Sequence, residues 1–483
     1  MKWTRELSYK HYDQWSHEEL CEIEKRVNQS PWRANYHIEP STGLLNDPNG
    51  FCYFNGTWIV FYQHFPFGAT HGLKSWVQLK SDDLVHFSPT GLKILPDTKF
   101  DSHGAYSGSA LQIKDNLFIF YTGNVRDRQW KRHTYQLGAL IDKQGHLKKL
   151  KTPLINQPMD TTDHFRDPQI FMYHNQYYAV IGAQTIKRQG TIQLYKSHEN
   201  DYGTWEKVGE LDFSNDYTSY IIECPNLVFV DQVPVLIYCP QGLDKDVCSY
   251  KNIYPNVYKI GSSFIPEKSR ITSISQPQLL DWGFDIYATQ AFNTEDNRVL
   301  AISWIGLPDT SYPTDRYNYQ GILSLVKELR IKDGKLYQYP VSSIKELRVS
   351  QKPLCNIAQT NNCYELEVHL QANSTNVITL FADEDGKGLT LTFDIKHNSV
   401  KVDRSGVGEE FAKEYGSTRT CFIDNQATTV NIFIDNSVFE MFINKGEKVF
   451  SGRVFPYSRH NGITTNGNIT GTYYELDYGY KTY

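Results

Sequence analysis

The chain has 483 residues, 40% hydrophobic and 21% charged, with a formal net charge of −5. That length outgrows one small core and predicts two domains, while the mildly acidic balance argues against a nucleic-acid or membrane surface. No apolar run approaches the roughly 18 residues of a bilayer span, and the eight cysteines are scattered without a Cys-x-x-Cys pair, so neither a zinc site nor a disulfide framework is expected.

In chain order, residues 1–31 read as an N-terminal helical segment. Its first residues are polar and lack the apolar stretch of a signal peptide, which, with the scattered cysteines, predicts a reduced cytoplasmic protein. Ser16-His17-Glu18-Glu19 forms a capping box, and Leu20, Ile23 and Val27 share one helical face until Pro31. Short strand-like runs broken by Asn, Asp and Gly follow, and they repeat. Asp47-Pro48-Asn49-Gly50-Phe51 leads to an apolar strand at Trp58–Tyr62, and Ser107-Gly108-Ser109-Ala110-Leu111 leads to Leu117–Tyr121. Asp167-Pro168-Gln169-Ile170-Phe171 leads to Tyr177–Ile181, and Glu223-Cys224-Pro225-Asn226-Leu227 to Pro234–Tyr238. A weaker fifth copy runs from Gln290 to Trp304.

Hairpins at a regular period of roughly 60 residues, with no helices between them, predict a five-bladed β-propeller over residues 32–340. The repeat phase then sets Asp47, Asp167 and Glu223 at one level around a common channel. Beyond residue 345 the texture changes to strict alternation, as in Tyr364-Leu366-Val368-Leu370 and Leu389-Leu391-Phe393-Ile395. Val430, Ile432 and Ile434 lead through an Asp435-Asn436 turn to Met441 and Ile443, so residues 345–483 read as an antiparallel β-sandwich. The fold class is therefore all-β. The sandwich carries no catalytic signature; packing against the propeller is its expected role, and a homodimer contact is left open. The aromatic fraction of 14% suits strands and sugar-binding clefts alike.

One Asp-Pro-Asn-Gly is a good turn by propensity alone. Three acidic residues in phase, each beside a strand, point instead to chemistry. Like charges in one cavity push a carboxyl to keep its proton, and glycoside cleavage needs one protonated acid beside one ionised partner. No His occupies the phased positions, so no metal and no cofactor is expected, and the partner is a small sugar.

The motifs resemble those of the family 32 glycoside hydrolases, the invertase and fructanase group. His37-x-x-Pro40-x-x-Gly43-x-x-Asn46-Asp47-Pro48-Asn49-Gly50 looks like the family's nucleophile motif, Phe165-Arg166-Asp167-Pro168 like its Arg-Asp-Pro motif, and Glu223-Cys224-Pro225 like its acid/base motif. Phe61-Tyr62-Gln63, Tyr106-Ser107-Gly108, Gly283-Phe284-Asp285 and Trp304 support the match, which covers nearly the whole chain. The resemblance implies the same propeller and sandwich. It also implies that Asp47 is the nucleophile, Glu223 the general acid/base and Asp167 a stabiliser of the transition state. Leu44, Leu45, Asn46, Gln63, Trp76, Tyr106, Ser107, Arg166 and Trp304 would surround the fructosyl unit, with Trp76 equally readable as a core residue. Ile222 before Glu223, Asn226 after it, and Trp76-Val77-Gln78 in place of Trp-Gly-His depart from the usual pattern.

His71-Gly72-Leu73-Lys74-Ser75 looks like the branch acting on sucrose 6-phosphate. The implied function is a retaining β-fructofuranosidase that cleaves sucrose 6-phosphate to glucose 6-phosphate and fructose. Hydrolysis of free sucrose or short fructo-oligosaccharides is the alternative, and a non-catalytic carbohydrate-binding propeller a third. A phosphate needs cations, and Arg126, Arg128, Lys131 and Arg132 lie on the loop after the second repeat, with Lys187 and Arg188 as a second pair.

Overall fold

The computed structural model describes residues 3–198, 201–214, 218–423, 426 and 428–477. Residues 1–2 of the expected helical segment and 478–483 of the expected sandwich lie outside the described residues.

The N-terminal segment is not one helix. A short turn of helix at Arg5–Ser8, capped by Thr4, precedes the expected helix at His17–Val27. Ser16 and Glu19 do form the capping box, with the Ser16 amide donating to Glu19 at 2.7 Å. Ile23 and Val27 face the core, and Trp15 stacks on Phe67 at 4.2 Å between ring centres. The first turn matters because it carries Tyr9 towards the functional cavity.

Five sheets follow, each built on four antiparallel strands. Their first strands are Gly43–Phe54, Ala105–Ile113, Thr161–Tyr173, Ile221–Val230 and Ile286–Asn293. These five pack side by side in a closed ring, the last against the first. Each is interrupted by a register shift at the same place: after Leu45, Tyr106, Arg166, Glu223 and Tyr287. A bulge leaves extra residues unpaired and re-aims their side chains, here towards the propeller axis. The backbone adopts left-handed φ at Asp167, Cys224 and Ala288, at 65°, 47° and 49°. Such conformations cost on the order of 1–3 kcal/mol each and persist only where surroundings enforce them.

Side chains two residues beyond the bulge pin each blade to the next. Asn49 accepts from the Gly108 amide at 2.9 Å, Ser109 from Ile170 at 2.8 Å, and Gln169 from Leu227 at 3.1 Å. Asn226 accepts from Ala291 at 3.1 Å, and Gln290 closes the circuit by accepting from Phe51 at 2.7 Å. All five are buried, so each bond satisfies a main-chain donor that water does not reach.

This ring corrects the repeat phase. Asp47-Pro48-Asn49, Ser107-Gly108-Ser109 and Asp167-Pro168-Gln169 align with Cys224-Pro225-Asn226, not with Glu223-Cys224-Pro225. Glu223 is equivalent to Asn46, Tyr106, Arg166 and Tyr287, one residue earlier. It reaches the channel from the neighbouring step of the bulge, and in the fifth copy the equivalent of Asp47 is Ala288, two residues before Gln290.

The fifth blade ends at Pro340 and the sandwich begins at Arg348. The sandwich consists of a six-stranded and a five-stranded antiparallel sheet. The alternating residues from Leu366 to Leu370, Leu389 to Ile395 and Val430 to Ile443 meet in its core. Its contact with the propeller combines apolar packing, as of Val438 against Ile286, Ile305 and Ile322, with buried polar ties. The Asp435 carboxylate accepts from the amides of Asn35, Tyr36 and His37 at 2.7, 2.9 and 2.9 Å. The His37 ring lies between Asp435 and Glu440 at 2.9 and 3.0 Å. Burial opposes the charge on His37, but the two carboxylates outweigh it and raise the ring to about 9. Asp285 adds a second tie, accepting from the Arg453 amide at 2.9 Å and pairing with Arg404 at 3.1 Å.

Candidate active site

One end of the ring opens into a cavity of about 370 Å³. Small-molecule sites commonly occupy such openings. One residue at the start of each bulge faces it: Asn46, Tyr106, Arg166, Glu223 and Tyr287 all line the wall. Three residues at the next step, Asp47, Ser107 and Asp167, join them. The acidic side chains Asp47, Asp167 and Glu223 therefore share one chamber.

Asp47 accepts a short hydrogen bond from the Ser107 hydroxyl and another from Asn46 Nδ2 at 3.0 Å. Asn46 is held in turn: its Nδ2 donates to Gln63 Oε1 at 2.7 Å, and its Oδ1 accepts from Lys74 Nζ at 2.5 Å. Asp167 accepts from the Cys224 amide at 3.0 Å. The Cys224 sulfur sits 3.8 Å from Asp47 Oδ2 and 3.6 Å from Asp167 Oδ2, so the two carboxylates flank one thiol. Glu223 receives four donors. Arg166 supplies Nε at 3.0 Å and a terminal nitrogen at 2.6 Å to Oε1, while Tyr287 and Gln241 each donate to Oε2 at 2.7 Å.

These surroundings separate the three acids. Burial pushes Asp47 up; the Ser107 and Asn46 bonds oppose it without cancelling it, and the Glu223 charge adds to the rise. Burial lifts Asp167 to about 7, with Arg166 opposing and Glu223 and Asp47 reinforcing. Burial also acts on Glu223, but the Arg166 charge and the Tyr287 hydroxyl reverse it and hold this carboxyl below its ordinary value. Glu223 is thus biased towards its ionised form, and both aspartates towards keeping a proton. Burial also brings Lys74 down to about 7, against the opposing pull of the Asp47 charge.

The other expected site residues divide. Gln63, Arg126, Arg132 and Trp304 line the cavity. Leu44 and Leu45 are fully buried in the core around the first blade. They belong to the same strand as Asp47 but lie before the bulge, where their side chains pack inward. Trp76 is also fully buried beneath the cavity, its Nε1 donating to the Tyr106 carbonyl at 3.1 Å. Arg128 and Lys131 are exposed at the hairpin tip, and Lys187 and Arg188 are exposed on the third blade. None of these four reaches the cavity wall. The wall also includes residues not anticipated as site members: Tyr9, His71, Lys74, Gln241, Tyr287 and Asp309. Tyr287 was open to detection, because it occupies the equivalent step of the fifth repeat. Lys74 lay within a run already singled out. Tyr9 and Gln241 carry no sequence signal. Among the described residues, no three His, Cys, Asp or Glu side chains are grouped to hold a metal ion.

Sequence profiles of the glycosyl hydrolases family 32 match the chain, the N-terminal domain over residues 37–340 and the C-terminal domain over 329–476. The chain belongs to glycoside hydrolase family 32. Among family 32 relatives, it is 55% identical to a sucrose-6-phosphate hydrolase of Streptococcus mutans, covering 99% of this chain and 100% of that one. It is 49% identical to the enzyme of the same name from Lactococcus lactis, again over 99% and 100%. The solved structure of a sucrose-6-phosphate hydrolase from Lactobacillus gasseri superposes with a TM-score of 0.96 at 42% identity, covering 99% of this chain and 100% of that one. A Bombyx mori family 32 β-fructofuranosidase in complex with sucrose superposes at 0.82 with 25% identity, over 96% and 98%.

Proposed function

We propose that the chain is a retaining β-fructofuranosidase that hydrolyses sucrose 6-phosphate to glucose 6-phosphate and fructose. The observation that carries this reading is the convergence of Asp47, Asp167 and Glu223 in one chamber, within a chain similar end to end to sucrose-6-phosphate hydrolases. Asp47 attacks the anomeric carbon of the fructosyl unit while Glu223 gives a proton to the bridging oxygen. Water activated by Glu223 then releases fructose with its configuration retained. Asp167, Asn46 and Ser107 hold the fructosyl hydroxyls, and Asp167 favours the charge that builds on the ring.

The first step needs a protonated Glu223, whereas its Arg166 and Tyr287 donors favour the ionised form. Substrate supplies the change. A hydroxyl accepting from Arg166 draws the guanidinium away from Glu223 Oε1, and the sugar displaces water. Both effects raise Glu223 towards proton uptake and leave Asp47 ionised against Ser107 and Asn46. The same reading puts the enzyme in a reducing cytoplasm, consistent with eight unpaired cysteines.

Product analysis on sucrose and sucrose 6-phosphate tests the proposal. Faster cleavage of the phosphorylated sugar, with early retention of the fructose anomer by NMR, is expected. Equal or faster cleavage of free sucrose rejects the phosphate specificity, and an inverted first product rejects the double displacement.

A further inference from the structure

Two cations on the cavity wall have no partner that the fructosyl chemistry requires. Arg126 and Arg132 close the hairpin between the second and third strands of the second blade and face each other in register. Both line the cavity that holds Glu223. Yet among the described residues neither guanidinium forms an ion pair within 4 Å, whereas Arg166 beside them is paired with Glu223. Arg126 donates only to the Trp130 carbonyl, at 3.3 Å, and the Nε atoms of both arginines are buried without a partner. Asp163 acts on Arg132 from longer range, while burial and the charges of Arg166 and Arg126 work against it. Two half-buried guanidinium groups facing each other in register, each with a buried Nε that lacks a partner, are costly unless an anion completes them.

The hairpin is also held rigid from outside the propeller. Trp130, in a left-handed conformation at φ 65°, meets Tyr9 of the N-terminal segment at 5.1 Å and His103 at 5.5 Å, ring centre to ring centre. Tyr9 meets His103 at 5.7 Å, so the three rings close on one another, and Arg5 lies over the outer face of Trp130 at 4.5 Å. The His103 ring accepts from the Arg126 amide at 3.2 Å, which fixes the base of that arginine. Tyr9 itself lines the cavity.

We infer that Arg126 and Arg132, braced by Tyr9 and Trp130, form the pocket for a phosphomonoester dianion on the leaving hexose. The inference rests on the proposed substrate and gives it a location. The pocket lies on the side of Glu223, the residue that protonates the bridging oxygen, where the leaving sugar must sit. Arginine suits the task, since its planar fork meets phosphate oxygens in pairs and keeps its charge at every working pH. The exposed Arg128 and Lys131 at the tip take no part. The N-terminal segment becomes a specificity element through Tyr9.

The test uses the full chain with Arg126→Gln, Arg132→Gln and Arg128→Gln, assayed on sucrose and sucrose 6-phosphate, with inorganic phosphate as a competing anion. Residual sucrose turnover in each variant reports a folded site. In Arg126→Gln and Arg132→Gln, the preference for sucrose 6-phosphate over sucrose is expected to fall about 10- to 100-fold, the range for losing a charge-assisted contact. The inhibition constant for phosphate against sucrose cleavage should rise at least about tenfold in the same two variants. Arg128→Gln should leave both readouts unchanged. Phosphate inhibition that persists in Arg126→Gln and Arg132→Gln, or that is lost equally in Arg128→Gln, overturns the pocket. A wild-type enzyme that shows no preference for sucrose 6-phosphate, yet loses phosphate inhibition in the two pocket variants, keeps the anion site and overturns the proposed substrate instead.

Discussion

Replacing Tyr287 by Phe removes one hydroxyl and leaves the ring. That hydroxyl donates to Glu223 Oε2 at 2.7 Å in a partly buried setting and helps hold the carboxyl below its ordinary value. A hydrogen bond to a charged group contributes about 1.5–3 kcal/mol, and one pKa unit corresponds to about 1.4 kcal/mol, so Glu223 should rise by roughly one to two units. The sign follows directly. The donor favours the ionised form, so losing it favours the proton. On the proposed mechanism cleavage requires protonated Glu223 and ionised Asp47, which in the substrate complex makes Glu223 the group behind the alkaline limb of the kcat profile. That limb should move about one to two pH units upward in Tyr287→Phe, while the acid limb stays in place. Gln241 and Arg166 still anchor Glu223, so the enzyme remains measurable. An alkaline limb that stays where it was, with a normal melting curve, would falsify the claim that Tyr287 sets the protonation of Glu223.

Asp47→Ala and Glu223→Ala should each abolish turnover while leaving the melting temperature close to wild type, and azide should partly restore Glu223→Ala alone; substantial activity in Asp47→Ala would reassign the nucleophile. His37→Ala leaves the buried carboxylates of Asp435 and Glu440 facing each other, a loss of about 3–5 kcal/mol, so urea midpoints should drop sharply; an unchanged midpoint would show that the ring is not what joins the two domains. Because His37 is raised to about 9, its stabilisation is complete below the unfolded value and should fade as pH climbs through 9, visible as a falling melting temperature in wild type but not in His37→Ala. Gln290→Ala strips the buried Phe51 amide and Gly108 carbonyl of their partner, at about 1–3 kcal/mol, which calorimetry should register as a lower melting temperature without altered specificity.

Much of this was readable from the chain. The hairpin period of roughly 60 residues announces a propeller because each hairpin must bury a face that it cannot cover alone. The alternation around Leu366 and Leu391 likewise maps onto the sandwich core. The phase of the fourth repeat was misread for an equally physical reason. Glu223 and Asp47 are chemically alike, but the bulge presents two consecutive residues to the channel, so likeness of side chain concealed a step of one. Aligning Pro48, Pro168 and Pro225 reveals the step and brings Tyr287 into the site. Leu44, Leu45 and Trp76 adjoin functional motifs but are fully buried; the consecutive leucines point to opposite faces of a strand that is covered on both sides. Tyr9 and Gln241 reach the site through contacts between distant segments, which no local pattern encodes.

The hoop of Asn49, Ser109, Gln169, Asn226 and Gln290 lies directly behind the reacting groups and couples the tilt of every blade to that of its neighbours. No single blade can swing outward without straining a bond in the next. The distance between attacking and proton-donating groups is therefore a property of the whole circle. On the proposed reading, leaving-group preference resides instead at the closing pair of one hairpin, Arg126 and Arg132, and at Tyr9 of the N-terminal segment, outside the hoop. Evolution can revise what this scaffold accepts at its rim while the cutting geometry at its hub stays locked.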